Sequence, residues 1–286
     1  MLLKYVLMLA IVFGMFVSLD AQDKKIRWQR SRTLTEPDLQ LFHSTQSVNL
    51  PTAETLQKGD FEFEISHRFF PTINEGPDTF YGLDGPVNMR LALGYAINNR
   101  MIVTLGRSNV SDNVDLQFKY KFLQLRGEKL PVLVAGRVGA AWNTEVGGRD
   151  KGDPDNFQYY GQLIINTLIK KRFGIGVVPS YLYNSNIYDD NVQDSFTMGL
   201  NGQYYVSSVW SVLAEWNPTV TGWRSSHNPV SFGIELETGG HFFKIILTNS
   251  YLLNPSQFLT GADIDFNDTE WRIGFNITRL LKFSKN

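Results

Sequence analysis

The stretch Val114–Phe122, VDLQFKYKF, alternates without a break. Val114, Leu116, Phe118, Tyr120 and Phe122 are apolar or aromatic, and Asp115, Gln117, Lys119 and Lys121 lie between them. Successive side chains of a strand point to opposite faces, so this is a strand with one greasy face and one charged face. The same period recurs along the chain. Phe61, Phe63 and Ile65 oppose Glu62, Glu64, Ser66 and Arg68; Met89, Leu91, Leu93 and Tyr95 oppose Arg90, Ala92, Gly94 and Ala96. Further on, Val132, Val134, Val138 and Trp142 oppose Arg137 and Gly139, and Val230, Phe232, Ile234 and Leu236 oppose Ser231, Gly233, Glu235 and Glu237. About twelve such segments can be counted, most near the ~9–11 residues that a tilted membrane-spanning strand requires.

The connections sort by length. After the first strand, long ones (70–87, 109–113, 143–158, 185–195, 218–228 and 250–268) alternate with shorter turns near 98–99, 125–130, 170–171, 207–208 and 239–240. That order puts every long loop at one end of the sheet. It predicts an all-β fold: a closed antiparallel up-and-down transmembrane β-barrel of about twelve strands, with short periplasmic turns and long external loops. A soluble sandwich or lipocalin-like barrel is the rival. It would bury the greasy face and show the charges to water, whereas here Tyr95, Trp142, Tyr183, Tyr204, Trp216 and Trp271 mark the ends of the greasy face like two interfacial girdles. The outer face is then assigned to membrane lipid.

Composition adds exclusions. Lys and Arg number 27 against 28 Asp and Glu, so nothing in the charge points to nucleic acid. The chain has no cysteine, which excludes disulfides and thiolate metal sites. Lys4, the apolar run Tyr5–Val17 and the small residue Ala21 look like a secretory signal cleaved before Gln22. The expected organisation is a signal peptide over 1–21, a flexible periplasmic leader over 22–44 and an outer-membrane barrel over 45–286. No other apolar run is long enough to span as a helix, and only helices and closed barrels satisfy the backbone in lipid.

At this point the residues carry a resemblance. KGDFEFEISHRF, FYGLDGPVNMRLALGYAI, LGRSN and DLQFKYKFL, together spanning much of Gly59–Leu123, resemble a Bacteroidota outer-membrane β-barrel family described as a domain of unknown function. The likeness extends more loosely over about Thr45–Lys282. It implies an integral outer-membrane barrel and no established activity.

Alternation then places Glu62, Glu64, Asp115, Glu215, Glu235 and Glu237 on the inner face together with Arg90, Lys119, Lys121, Arg137, Lys244 and Arg272. Six acids against six bases predict a cross-linked lumen of weak ion selectivity. The tight turn at Gly239–Gly240 predicts Glu235 and Lys244 as direct cross-strand neighbours. The first long loop, Phe70–Val87, is expected to fold into the barrel, because Phe70, Phe80, Tyr81 and Leu83 gain by burial and Asp84 would reach Arg90.

The signals for other chemistry are weak. SSHNP (225–229) brings a serine and a histidine together, but loop neighbours rarely give a nucleophile a held base and an orienting third group. GADIDFND and GDPDN lack the glycine and bidentate glutamate of an EF-hand, so they are read as solvated acidic loops rather than calcium sites. GIG at 174–176 is not a nucleotide fingerprint, because no helix follows it. No catalytic residue, metal or cofactor is expected. Three function classes stay open: a porin-like channel passing small polar solutes, a non-conducting barrel that anchors or seals an envelope complex with a protein partner, and, least favoured, an outer-membrane enzyme.

Overall fold

The computed structural model describes residues 38–283; the signal peptide expected over 1–21 and the expected leader up to residue 37 lie outside the described residues. Thirteen strands form one antiparallel sheet: β1 (Phe61–Phe69), β2 (Val87–Asn98), β3 (Met101–Ser108), β4 (Asn113–Leu125), β5 (Val132–Asn143), β6 (Phe157–Ile169), β7 (Phe173–Tyr183), β8 (Asp194–Tyr205), β9 (Trp210–Trp216), β10 (Thr219–Gly222), β11 (Val230–Glu237), β12 (His241–Thr248) and β13 (Arg272–Leu281). Chain neighbours pair in order, and β1 pairs with β13 to close the ring, with Ile65 opposite Ile277. β9 and β10 both pair with β8, one after the other along its length. They are one wall strand interrupted at Asn217–Pro218, because proline has no N–H to give the ladder; its carbonyl still accepts from the Met198 amide at 2.9 Å. The wall is therefore a closed twelve-stranded up-and-down barrel.

The two faces separate sharply along β4. Leu116, Phe118 and Tyr120 are 47, 43 and 46% exposed, while Asp115, Gln117 and Lys119 are 0, 5 and 7% exposed. The charged face therefore looks inward. The outer face is a continuous apolar band, which suits lipid and no other solvent. Aromatic pairs border it at both ends. Phe61 sits 4.7 Å from Tyr95 and 5.7 Å from Phe283 at the short-turn end; Trp142 stacks on Phe157 at 5.9 Å, and Phe232 meets Trp271 at 5.7 Å, at the long-loop end. By the usual rule the short-turn end faces the periplasm. The turn between β11 and β12 pairs Glu235 directly with Lys244, the register that its short length dictates.

Two expectations need correction. The leader does not run to residue 44: Leu41 and Phe42 are 2 and 1% exposed, and residues 39–56 lie inside the barrel as an insert without strand structure. An apolar pair this close to the wall gains more by burial than it would by staying in water. The first long loop, in turn, does not fold inward. Phe80 and Tyr81 are 60 and 52% exposed, Asp84 is exposed, Leu83 is half-buried, and Phe70 packs on Tyr251 at 4.8 Å. The loop closes on itself instead. Its two short 3-10 turns, Ile73–Glu75 and Pro77–Thr79, are tied by Tyr81 N–H to Gly76 O (2.8 Å) and Asp84 N–H to Thr79 O (3.2 Å). The seat beside Arg90 that Asp84 was to take is occupied by Asn254, from the last long loop.

Candidate functional site: the filled interior

An eight-stranded barrel is filled by its own side chains, whereas sixteen or more strands leave an aqueous channel. Twelve strands leave room for side chains plus inserted backbone, and this barrel takes in two pieces. The first is the N-terminal insert. It enters at the short-turn end, where Leu39 N–H donates to Gln124, turns at Val48–Asn49, and leaves at the same end, where Thr55 donates to the Asn99 carbonyl. Ser47 N–H to Leu50 O (2.8 Å) and Thr52 N–H to Thr45 O (3.0 Å) close the turn. Those few bonds leave most of its backbone groups without an internal partner, and buried backbone polar groups must find one.

The inner-face charges supply it. Glu215, near the end of β9, accepts from the N–H groups of Val48 (3.2 Å), Asn49 (3.0 Å) and Leu50 (2.8 Å), and from the Asn49 side chain (3.1 Å). Successive N–H groups converging on one carboxylate make an anion nest whose anion is part of the wall. The carbonyls turn to cations and amides. Lys244 donates to Gln46 O and Ser47 O, each at 2.6 Å, and Lys119 to Thr45 O and Thr52 O at 3.1 and 3.2 Å. Asn276 reaches Val48 O at 2.9 Å, and Arg68 reaches the Asn49 side-chain oxygen at 3.0 Å. Glu62 accepts from Thr45 at 2.6 Å, and Glu235 receives Lys244 at 3.3 Å and His43 Nδ1 at 2.9 Å.

Of the remaining inner-face residues, Arg90 bridges Glu64 (3.3 Å) and Asp115 (3.4 Å), and Arg137 binds Gln162 and Gln117. Lys121 is buried; Arg272 forks onto Asp263 of the last loop at 3.0 and 2.7 Å. Glu237 is half-buried and accepts from Gly240 N–H at 2.8 Å, so it caps its turn. Two further buried charges stand outside the expected lumen set. Arg68, fully buried, faces inward at the end of β1, where alternation alone would have placed it. Glu54 belongs to the insert and accepts from the Leu41 and Phe42 amides at 2.7 and 2.9 Å. Burial pushes its carboxyl up to about 7 against the pull of those amides and of Lys121 and Lys119.

Apolar seats complete the fit. Leu41, Phe42, Leu50 and Ala53 cluster with Leu133, Ala135, Ile164 and Val178 of the wall and with Phe258. The inward glycines are the sockets: a Cβ on Gly174 would come within 3.1 Å of the Phe42 ring, and one on Gly199 within 2.8 Å of the Leu50 methyls.

The second insert comes from the long-loop end. The short helix α1 (Pro255–Phe258) is buried throughout. Asn254 accepts from Arg90 at 2.5 Å and donates to Asn113 O at 3.0 Å; Gln257 accepts from Ser108 at 2.9 Å and donates to Val110 O at 2.8 Å. Phe258 meets the first insert in the shared apolar cluster. Among the cavities inside, one of about 30 Å³ lies between Thr45, Glu62, Glu64, Arg90 and Lys119, room for about one water. The histidines do other work. His67 packs edge-on to Phe275 at 4.4 Å on the outer face, and His227 ties its loop to the last one through Ala262 and lies 3.6 Å from Asp265.

This geometry meets known proteins at the level of architecture. An outer membrane channel from Pseudomonas putida F1 is similar in fold (TM-score 0.50, 13% identity), over 80% of this chain and 98% of that one. The NanC porin matches with a TM-score of 0.47 and 8% identity over 78% of this chain and 100% of that one. Omp33 of Acinetobacter baumannii matches at 0.41 and 12% over 78% and 99%. At such identities the likeness speaks for the fold alone. No curated protein matches the chain by sequence. The family's sequence profile covers residues 42–281, nearly the whole wall and most of the first insert, and the chain belongs to the family of membrane-bound β-barrel domains designated DUF5777.

Proposed function

We propose that this protein is an outer-membrane channel for small polar solutes, held closed at rest by its own N-terminal insert. The observation that carries this reading is the bonding of the insert. Its backbone is held by Glu215, Lys244 and Lys119 and its Asn49 side chain by Arg68, groups that belong to the wall and would line a wet path if the insert withdrew. A buried charge that loses its partner must be resolvated, so withdrawal admits water to the bore. Acids and bases are mixed along that path, which favours weak ion selectivity. No catalytic step is part of this reading.

A second reading rests on the apolar cluster. Leu41, Phe42 and Leu50 seat on the wall as core residues do, which favours a permanently sealed barrel serving as an envelope anchor. Single-channel recording in planar bilayers separates the two. The full chain is expected to be silent, and a variant lacking residues 39–56 to show stepwise conductance with little preference between cations and anions. Silence of both, with the shortened barrel verified as assembled by its heat-dependent mobility on gels, would leave the anchoring role.

A further inference from the structure

At the short-turn end the first insert and the wall border an open cavity of about 460 Å³ that faces the periplasmic side. Its floor is Leu41, Phe42 and Leu168, its side is Tyr205, and its rim carries Lys171 and Arg172. We infer that this cavity binds a small amphipathic anion, a carboxylate on an apolar or aromatic body, and that such a ligand holds the insert in place.

The size lies within the range of small-molecule sites, and the lining is mixed: Leu41, Phe42, Leu168 and Val206 stand beside Gln40, His43 and Tyr205. The charges are one-sided at the mouth. Lys171 and Arg172 are exposed, and neither makes an ion pair or side-chain hydrogen bond among the described residues. Two acids beside the floor are already engaged: Glu54 by the Leu41 and Phe42 amides, and Glu235 by Lys244 and His43. The cavity therefore offers two uncommitted cations above an apolar bed. The chain's own upstream segment is a poor occupant by charge, since KKIRWQRSR (24–32) is basic and would meet like charge.

The cavity also has two owners. Gln40–His43 belong to the insert, while the rim belongs to the β6–β7 turn and Tyr205 to β8; Tyr205 donates to the Leu41 carbonyl at 2.8 Å. A ligand seated there touches both, so it binds only while the insert is home and stabilises that state by linkage. This second consequence rests on the channel reading; the binding itself does not.

The probe is 3-phenylpropionate, with its neutral amide as the charge control, titrated calorimetrically into the full chain in nanodiscs of zwitterionic lipid. The carboxylate is expected to bind at least tenfold more tightly than the amide. The double variant Lys171→Asn, Arg172→Gln is expected to lose that margin, asparagine being chosen because Lys171 sits at φ 55°. Equal binding of acid and amide, binding unchanged in the double variant, or binding that appears only after residues 22–37 are removed would overturn the proposal. In the bilayer, the carboxylate should lengthen closed times of a variant with a loosened insert, such as Glu215→Ala. Calorimetric binding without that effect would overturn the holding role, while silence of the barrel lacking residues 39–56 would fail the channel reading alone.

Discussion

The two inserts fill one bore by different chemistry. The N-terminal insert is held by charged wall groups, with Glu215 on its amides and Lys244 and Lys119 on its carbonyls. The last-loop insert is held mostly by neutral amides and hydroxyls, Asn254, Gln257, Ser108 and Asn113, with Arg90 and Arg272 as the charged exceptions. Their tethers differ too. The last-loop insert is fixed at both ends by β12 and β13, whereas the N-terminal one, among the described residues, adjoins a strand at one end only. What holds the N-terminal insert inside the bore is non-covalent, and charge-assisted bonds are the stronger kind. They are also the kind that a change of protonation or a single substitution can cancel.

The largest effect should come from Glu215→Ala. It strands three backbone N–H groups and the Asn49 side chain in a dry site, at a cost of about 3–5 kcal/mol spread over several unsatisfied groups. Limited proteolysis should then cut within residues 39–56 while the strands stay protected; an uncut segment would mean that the apolar seats alone hold it.

Next comes pH. Glu54 has a carboxyl raised from 4.5 to about 7, so the folded state holds its proton more tightly than the unfolded one. Its contribution is fully present below about 4.5 and is lost as pH rises through about 7, a change on the order of 3 kcal/mol. Protease sensitivity of the insert should therefore rise between pH 5 and 8. Glu54→Gln, which keeps an acceptor for the Leu41 and Phe42 amides, should flatten that dependence; a slope that survives the substitution would place the titrating group elsewhere.

Gly199→Ala puts a methyl within 2.8 Å of the Leu50 side chain and should cost about 1–3 kcal/mol by overpacking. Adding Leu50→Ala should recover part of it, and a purely additive thermal-unfolding cycle would show that the two do not meet. Asn254→Ala, on the other insert, should cost only about 1 kcal/mol, because Arg90 keeps Glu64 and Asp115. A loss as large as that of Glu215→Ala would erase the contrast between the inserts.

The smallest effect belongs to the exposed first loop. Phe80→Ser should change stability by no more than about 0.5 kcal/mol and leave conductance untouched. Any opening of the bore would restore a role for this loop inside.

Much of the wall was legible because its signals are local. Strict alternation in VDLQFKYKF, the sorting of connections by length and the aromatic ends of strands each need only a few neighbouring residues to be read. The register at Glu235 and Lys244 follows from a turn too short to allow another. Arg68 was equally legible, since it shares parity with Glu62 and Glu64. The sockets were not. GIG around Gly174 looks like relief of crowding until Phe42, far upstream in sequence, is found 3.1 Å from where its Cβ would lie.

From sequence alone, then, come the barrel, its strand number and the inward direction of its charges, because a membrane leaves a period-two chain with no other way to satisfy its backbone. Tertiary structure alone decided what the charges face. Phe70–Val87, Leu39–Leu56 and Ser250–Asp268 all carry apolar residues fit for burial, and composition does not rank them. The first loop closes on its own hydrogen bonds. The other two have backbone that the wall can satisfy, Glu215 and Lys244 for one and Arg90 and Ser108 for the other. Which segment fills a bore is a competition among long-range contacts, and those partners lie up to about two hundred residues away along the chain.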